Sequence, residues 1–185
     1  EDLKQNNYSW NPNNYIIDEE MEKMMSKSSC EWKKLGEVCN FTNGYSFKSS
    51  HYKNEGIPII SIKHIPFNRP KYTFNYYLKG ENLNKYEIYK NDILIALTGA
   101  TIGKIGIYNF DYTGYLNQRV AKITSKNENL YTLKFIYYIM IYTNTMKIIK
   151  DKSTGSAQEN ISTEELGKNI SLPIPSLETQ NQIVQ

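Results

Sequence analysis

The sequence is poor in residues that build metal sites, and it lacks long hydrophobic runs. It contains two cysteines and two histidines, and no apolar stretch approaches the length of a membrane span. No signal peptide opens the chain. Cys30 and Cys39 lack metal-ligand spacing, so two reduced thiols are the favoured interpretation, although a disulfide stays open. We therefore expect no metal, no membrane association and a cytoplasmic location.

The sequence also lacks a working nucleotide-binding loop. The segment GATIGK, residues 99–104, resembles a P-loop, but three residues separate its glycines where a P-loop has four, and Ile105 follows the lysine. The hydroxyl that would bind Mg²⁺ is missing, which argues against a nucleotide triphosphatase. The glycines instead predict a tight turn between strands, able to present backbone N–H groups and Lys104 to a phosphate.

Other catalytic arrangements are missing as well. No Gly-x-Ser-x-Gly elbow is present, and NPN, residues 11–13, lacks the second proline and the aromatic residue of an adenine methyltransferase motif. The acids of residues 18–22 fit a solvated helix, and Glu164 and Glu165 fit the first turn of another. Asp92 and Asp111 have no evident partners. We predict no catalytic residue and no cofactor.

What the chain does contain is a mild excess of positive charge and many tyrosines. The net charge is +3, and 16 tyrosines are present among the 185 residues. Residues 48–79 are rich in lysine and hold a single acid, Glu55. This pattern is weak evidence for a polyanionic partner, because an AT-rich genome would give a similar composition. A hydrophobic fraction of 39% predicts one folded domain, with room for appendages.

The hydrophobic pattern predicts a mixed α+β domain. The apolar run 93–97, after a turn at Asn91-Asp92, is typical of a buried strand. Further strands are predicted at 57–65, 105–108, 120–123 and 169–173, and helices at 18–27, 130–142, 145–150 and 176–185. Trp32, Leu35 and Val38 have helical spacing, and Ser162 begins another helix as a capping box. Strands and helices do not alternate regularly, which disfavours a doubly wound fold.

A series of motifs, in order along the chain, resembles one family. The motifs are EWKKLGEVC (31–39), NGYSFKSS (43–50), IPII (57–60), NDILIALTGATIGK (91–104), NQRV (117–120), GSAQENIS (155–162) and LPIPSLETQNQIV (172–184). They resemble the target recognition domain of Type I restriction–modification specificity subunits. The resemblance covers residues 32–185. Residues 7–16 are also similar to the tail of an adenine methyltransferase module, which favours a fused methyltransferase–specificity polypeptide.

The resemblance implies a single target-recognition globule of mixed α+β class, with a strand-rich core and C-terminal helices. It assigns residues 1–30 to a linker or the tail of an upstream methyltransferase module, and residues 31–176 to the recognition domain. Residues 177–185 would start a spacer helix that forms a coiled coil. The implied function is sequence-specific recognition of double-stranded DNA, which directs methylation and restriction subunits to their target.

The resemblance also implies partners. These are double-stranded DNA, a methyltransferase (modification) subunit or fused module, and a restriction subunit; a dimer through the spacer helix stays open. Two alternatives remain: a fragment of a fused adenine DNA methyltransferase with its own activity, and a protein-interaction module. The recognised bases are not evident from the sequence.

Polar residues in four loops are our candidates for DNA contact, with cations on phosphates and other polar groups on base edges. They are Lys48, Ser49, Ser50, Lys53, Lys63, His64, Arg69, Lys71, Tyr72, Thr101, Lys104, Lys152, Ser153, Ser156 and Gln158. Motif residues shared by family members that read different sequences are assigned a structural role instead. These are Gly44, Gly99, Gly103, Asn117, Gln118 and Gly155.

Overall fold

A computed structural model describes residues 26, 30–143, 145–153 and 160–184. In these ranges the strands are β1 (Glu31–Lys34), β2 (Cys39–Asn43), β3 (Ile57–Ile60), β4 (Asn75–Tyr77), β5 (Glu87–Ile88), β6 (Ile93–Ala96), β7 (Ile105–Ile107), β8 (Gly114–Leu116), β9 (Val120–Ser125) and β10 (Ser171–Ile174). The helices are α1 (Leu35–Val38), α2 (Leu133–Tyr142), α3 (Thr145–Ser153), α4 (Thr163–Asn169) and α5 (Leu177–Ile183).

The strands form two four-stranded sheets and one two-stranded ribbon. The first sheet has the order β2-β9-β6-β7 and is antiparallel throughout. The second sheet has the order β4-β3-β8-β5, and its central pair, β3 and β8, is parallel. The ribbon pairs β1 with β10 in antiparallel register, so that the beginning and the end of the described chain lie side by side.

The first sheet is buried on both faces because its central strand alternates between two cores. Ile93 and Ile95 of β6 belong to a core shared with the helices, and Leu94 and Ala96 belong to a core between the sheets. All four residues are at most 2% exposed. An unbroken apolar run bounded by turn residues is typical of such a strand, since both sides of its pleat meet apolar neighbours.

The second sheet covers the outer face of the first. Ile60 and Leu116 project into the core between the sheets, whereas Ile59 and Tyr115, one residue earlier in each strand, project to the opposite side. There they pack against Phe47 and Leu83 from the connecting loops. The order of layers is therefore helices, first sheet, second sheet and loops, held by three clusters of buried side chains.

The mixed α+β class predicted from the sequence is confirmed. The bounds of some predicted elements need correction. Trp32 lies on β1 with 65% of its surface exposed, so the expected helix around it is shorter and begins at Leu35. The Ser162 capping box is present, since its hydroxyl oxygen accepts from the Glu165 N–H at 3.1 Å. The predicted strand 57–65 ends at Ile60 and continues as a 3₁₀ turn. The predicted helix 18–27 lies outside the described residues except for residue 26.

Cys30 and Cys39 are not joined by a disulfide, and burial raises the pKa of the Cys39 thiol to about 12. In the part of the chain that the structure describes, no helix has the length and apolar character needed to cross a bilayer.

Candidate nucleic-acid interface

Many strands of both sheets meet at one end of the molecule. Strands β2, β3, β6 and β8 end there, and β7 and β9 begin there, as the pairings Asn43↔Ala121, Ala96↔Val120 and Ile60↔Leu116 require. The connections at this end are residues 43–45, 61–63, 98–104 and 117–119, and together we call them the strand-end surface. Each of these segments begins at the end of a strand or within two residues of it, so the two sheets determine its position.

Main-chain hydrogen bonds fix the centre of the strand-end surface. The Asn117 N–H donates to the Ile60 carbonyl at 3.0 Å, and the Gln118 N–H donates to the Tyr45 carbonyl at 2.9 Å. The Leu97 N–H donates to the Arg119 carbonyl at 2.9 Å. These bonds tie residues 117–119 to neighbouring strand ends on both sides. The backbone of this connection is therefore as fixed as the sheets themselves.

The residues assigned a structural role lie at this junction. The Asn117 side-chain oxygen accepts from the Arg119 N–H at 3.3 Å, which closes the turn that enters β9. Gly44 approaches the same turn so closely that a Cβ there would lie 2.2 Å from the Asn117 carbonyl oxygen. The side chain of Gln118 is exposed, although its main chain is bonded. Gly155 lies outside the described residues.

The glycine turn between β6 and β7 contributes Thr101 and Lys104 to the strand-end surface. Gly99 and Gly103 have φ angles of 69° and 78°, a region that only glycine adopts without strain. The amides of Ile102 and Lys104 donate to the Gly99 and Thr101 carbonyls inside the turn, and the Gly103 amide donates to the Ala96 carbonyl at the end of β6. Our expectation that the turn offers its backbone N–H groups to a phosphate is therefore wrong for these three amides.

The side chains of the turn remain as candidates. Lys104 is half-buried, and the hydroxyl oxygen of Thr101 is buried with no hydrogen-bond partner among the described residues. A Cβ on Gly103 would lie 3.0 Å from the Met146 Cα, so the turn packs against α3. Thr98 forms a bridge with Asn160, which places Asn160 beside the same turn.

A second group of candidates lies toward β4, the edge strand of the second sheet. Lys48, Ser49 and Ser50 are exposed at or beside a 3₁₀ turn. Lys53 is also exposed, and its N–H donates to the Tyr76 carbonyl of β4 at 3.0 Å.

One loop, residues 61–74, connects the strand-end surface to β4. Arg69 and Lys71 are exposed on it, and Tyr72 is half-buried. The Tyr72 hydroxyl accepts from the Arg69 N–H at 2.7 Å, and its ring stacks on Phe74 with centroids 6.1 Å apart. The Tyr72 ring also meets Phe110 edge-on at 5.7 Å. Tyr72 therefore holds the loop to an aromatic cluster beneath it, and Arg69 and Lys71 project from a braced segment.

His64 lies inside this loop, which corrects our expectation that its side chain contacts DNA. The residue is 3% exposed, and both ring nitrogens are engaged. Nδ1 accepts from the Ser61 N–H at 3.0 Å, and Nε2 bonds to the Thr73 carbonyl at 3.1 Å. Since a carbonyl only accepts, the ring is neutral with its proton on Nε2. His64 thus joins the two ends of the loop.

We expect acid to destabilise the protein through His64. Burial, reinforced by the nearby charges of Lys63 and Arg69, lowers the pKa of His64 from 6.5 to about 4. Protonation would also place a hydrogen on Nδ1, where it would face the Ser61 N–H that donates to this nitrogen. The native state therefore binds the proton more weakly than the unfolded chain, so stability is retained above pH 6.5 and is lost as the pH falls toward 4. The expected loss by pH 4 is about 3 kcal/mol.

The measurement is urea unfolding between pH 7 and pH 4 for the wild type and His64→Gln. The glutamine variant is expected to be less stable at pH 7 and to lose less stability on acidification. Parallel pH profiles for the two proteins would contradict the role given to His64.

The last group of candidates is only partly described. Lys152 and Ser153 belong to the end of α3 and not, as expected, to the loop that follows it. Ser156 and Gln158 lie outside the described residues.

Asp92 and Asp111, whose partners were not evident from the sequence, each lie beside a lysine. Lys122 Nζ lies 3.3 Å from an Asp92 carboxylate oxygen, and Lys90 Nζ lies 2.6 Å from one of Asp111. Among the described residues, no three histidine, cysteine or acidic side chains come together in a way that could hold a metal ion.

Comparison with known proteins agrees with this architecture. Residues 28–185 match the family described as the Type I restriction modification DNA specificity domain. The chain belongs to this family. The family suggested by the sequence motifs is thereby confirmed, and the match includes every segment of the strand-end surface.

Curated relatives of this specificity domain are themselves specificity subunits. The chain is 30% identical over 159 residues to the Type I restriction enzyme MjaVIII specificity subunit of Methanocaldococcus jannaschii. It is 28% identical over 160 residues to the EcoBI specificity subunit of Escherichia coli. Each alignment covers 82% of this chain, but only 37% and 30% of the respective relatives. The chain thus spans about a third of the length of these relatives.

Solved structures share the fold of this specificity domain. The HsdS subunit from Thermoanaerobacter tengcongensis superposes with a TM-score of 0.61 at 20% identity, covering 91% of this chain and 41% of that one. The S subunit of a Type I system from M. genitalium gives a TM-score of 0.62 at 21% identity, covering 92% and 45%.

Among the described residues of the strand-end surface, sequence reasoning missed one exposed cation. Arg119 lies on the strand-end surface and is exposed, yet only its neighbours Asn117 and Gln118 were given a role. The signal was available, because arginine is the side chain most often used for specific base contacts.

Proposed function

We propose that this domain recognises a specific sequence in double-stranded DNA, by placing the strand-end surface and the 61–74 loop against the major groove. The observation that carries the proposal is the charge of the strand-end surface. Its four segments contain three cations, Lys63, Lys104 and Arg119, and no aspartate or glutamate. A surface of one sign, held on a fixed backbone, suits a polyanion whose phosphates are regularly spaced.

The work of recognition divides between two kinds of side chain. Lys63 and Lys104, with Lys48, Lys53 and Lys71 toward β4, would neutralise phosphates and set the register of the domain on the duplex. Serine, threonine, glutamine and arginine side chains would read base edges in the groove. The sheets would position these side chains precisely, because the turns that carry them have hydrogen-bonded main chains.

The boundaries expected from the sequence are part of the proposal. Residues 31–176 would be the recognition domain, and α5 would start a spacer helix. Gln180 supports a fixed direction for α5, because its side-chain nitrogen donates to the Leu130 carbonyl at 2.8 Å and its oxygen accepts from the Thr132 N–H at 3.0 Å. This buried amide anchors α5 to the start of α2, so the helix would extend at a set angle. A second copy could pair along that extension.

The domain would direct catalytic subunits to the DNA sequence that it recognises. We infer that it has no catalytic site itself and that methyltransferase and restriction subunits act at the DNA it selects. A third solved relative, with a TM-score of 0.62, comes from work on complex assembly of the type I R-M system, which supports such an arrangement. Nothing in the described residues favours the alternative of an active methyltransferase fragment.

Salt dependence tests the proposal. The chain is titrated with a labelled pool of random duplexes at increasing salt, and anisotropy gives the affinity. We expect log K to fall linearly with log salt, with a slope of about −0.9 for each phosphate contacted. Competition with the polyanion heparin separates non-specific charge attraction from sequence recognition. Complexes with duplexes enriched from the pool should resist heparin better than complexes with random duplexes. A flat salt response would reject DNA binding and favour a protein-interaction module.

A further inference from the structure

Arg119 occupies the middle of the strand-end surface. Residues 117–119 connect β8 of the second sheet to β9 of the first, so they lie where the two sheets meet. Lys63 follows β3 in the second sheet, and Lys104 precedes β7 in the first. The arginine therefore has a lysine-bearing connection on each side. In a complex centred on this surface, lysines on these two connections would meet phosphates, and Arg119, between them in the strand order, would meet the groove.

The main chain of Arg119 is held on both sides. Its N–H donates to the Asn117 side-chain oxygen at 3.3 Å, and its carbonyl accepts from the Leu97 N–H at 2.9 Å. The next residue is fixed too, since the Val120 N–H donates to the Asn117 carbonyl at 2.8 Å. A side chain that starts from a fixed Cα loses less conformational freedom on binding than one on a mobile loop. Such a position favours specific contact over loose attraction.

The guanidinium of Arg119 is available to a ligand. The residue is exposed, and none of the ion pairs among the described residues includes it. The acids at the start of α4 are engaged locally, Glu164 with Lys168 and Glu165 with Ser162. Among the described residues the Arg119 side chain makes no hydrogen bond either, so its guanidinium donors are open to another acceptor.

From this position we propose that Arg119 reads a guanine in the target. The planar guanidinium donates two parallel hydrogen bonds, and guanine presents two acceptors, O6 and N7, at the matching spacing in the major groove. A phosphate could accept the same pair of hydrogen bonds, but Lys63 and Lys104 already supply cations where phosphates are expected. The inference rests on the proposed function and adds to it one base and the residue that reads it.

Selection from a pool of duplexes with a randomised central segment tests this, with wild type, Arg119→Ala and Arg119→Lys. The wild type is expected to enrich a motif that contains guanine at one position. Both variants should lose preference for that guanine by about tenfold or more, with the other positions retained. Arg119→Lys should lose the preference for guanine because lysine keeps the positive charge but cannot donate two parallel hydrogen bonds. Lys90→Ala, which removes a cation outside the strand-end surface, is the matched control and should select the wild-type motif.

Salt titration distinguishes a base contact from a phosphate contact. For a base contact the salt slope of Arg119→Ala stays close to that of the wild type. An unchanged motif with a slope reduced by about one, restored in Arg119→Lys, would place Arg119 on a phosphate and overturn the inference. An unchanged motif and an unchanged slope would overturn it too. These outcomes leave the proposed function standing, whereas a wild-type chain that enriches no sequence would refute that function and this inference together.

Discussion

Gly44→Ala is expected to lower the free energy of unfolding by about 3 kcal/mol, the upper part of the range for overpacked sites. The added Cβ would lie 2.2 Å from the Asn117 carbonyl oxygen, 2.3 Å from its carbon and 2.5 Å from the Leu116 carbonyl oxygen. All three atoms are main chain, so no side chain can rotate away. The Tyr45 N–H donates to the Leu116 carbonyl at 2.8 Å, so relieving the clash would break the junction between β2, β8 and β9.

Urea unfolding measures this effect, and Gly99→Ala is a matched control. Gly99 has a positive φ, but a Cβ there would meet no atom within 4 Å. Its alanine variant should therefore carry only the backbone strain, about 1 kcal/mol. Equal destabilisation of the two variants would show that the close approach of Gly44 to Asn117 does not add to the loss of unfolding free energy in Gly44→Ala.

The second large effect concerns DNA affinity. We expect the double variant Lys63→Gln/Lys104→Gln to bind duplex DNA about 100-fold more weakly at low salt, because two phosphate contacts and the counterions they release are lost. The slope of log K against log salt should fall in magnitude by about 2, at about 0.9 for each contact. Folding should be unaffected, since neither side chain forms an ion pair among the described residues.

Lys85→Gln/Lys90→Gln is the control for total charge. It removes the same two charges from places outside the strand-end surface, where Lys85 lies 4.9 Å from the Tyr86 ring centroid and Lys90 pairs with Asp111. The control should keep most of the wild-type affinity and slope. If both double variants lose affinity equally, net charge and not the strand-end surface governs binding.

The core of the fold could be predicted where the pattern was local. The run at 93–97 gave a buried strand, and Ser162 with Glu165 gave the start of α4, because each depends on neighbours within a few residues. Trp32 was misplaced because its conformation depends on β10, its partner near the other end of the chain. Helical spacing cannot reveal a pairing over such a distance, since β structure is set by long-range contacts.

The candidate site was predicted less well than the core. Exposure of Lys63, Arg69 and Lys71 followed from their charge, because burying an unpaired cation is costly. The burial of His64 could not be foreseen, since the Thr73 carbonyl that engages it is brought near by the whole loop. The residue type of Arg119 was a signal in the sequence, but its position among strand ends of both sheets became evident only from the tertiary structure.

The junction around residues 117–119 is built mostly from main-chain bonds, and this has an evolutionary consequence. Apart from the Asn117 side chain and the close approach at Gly44, the register there is set by amides and carbonyls that every residue type except proline supplies. Exposed positions on these turns can therefore mutate with little loss of stability. If the domain reads DNA as proposed, its target could change through the exchange of a few outward side chains while the scaffold stays intact.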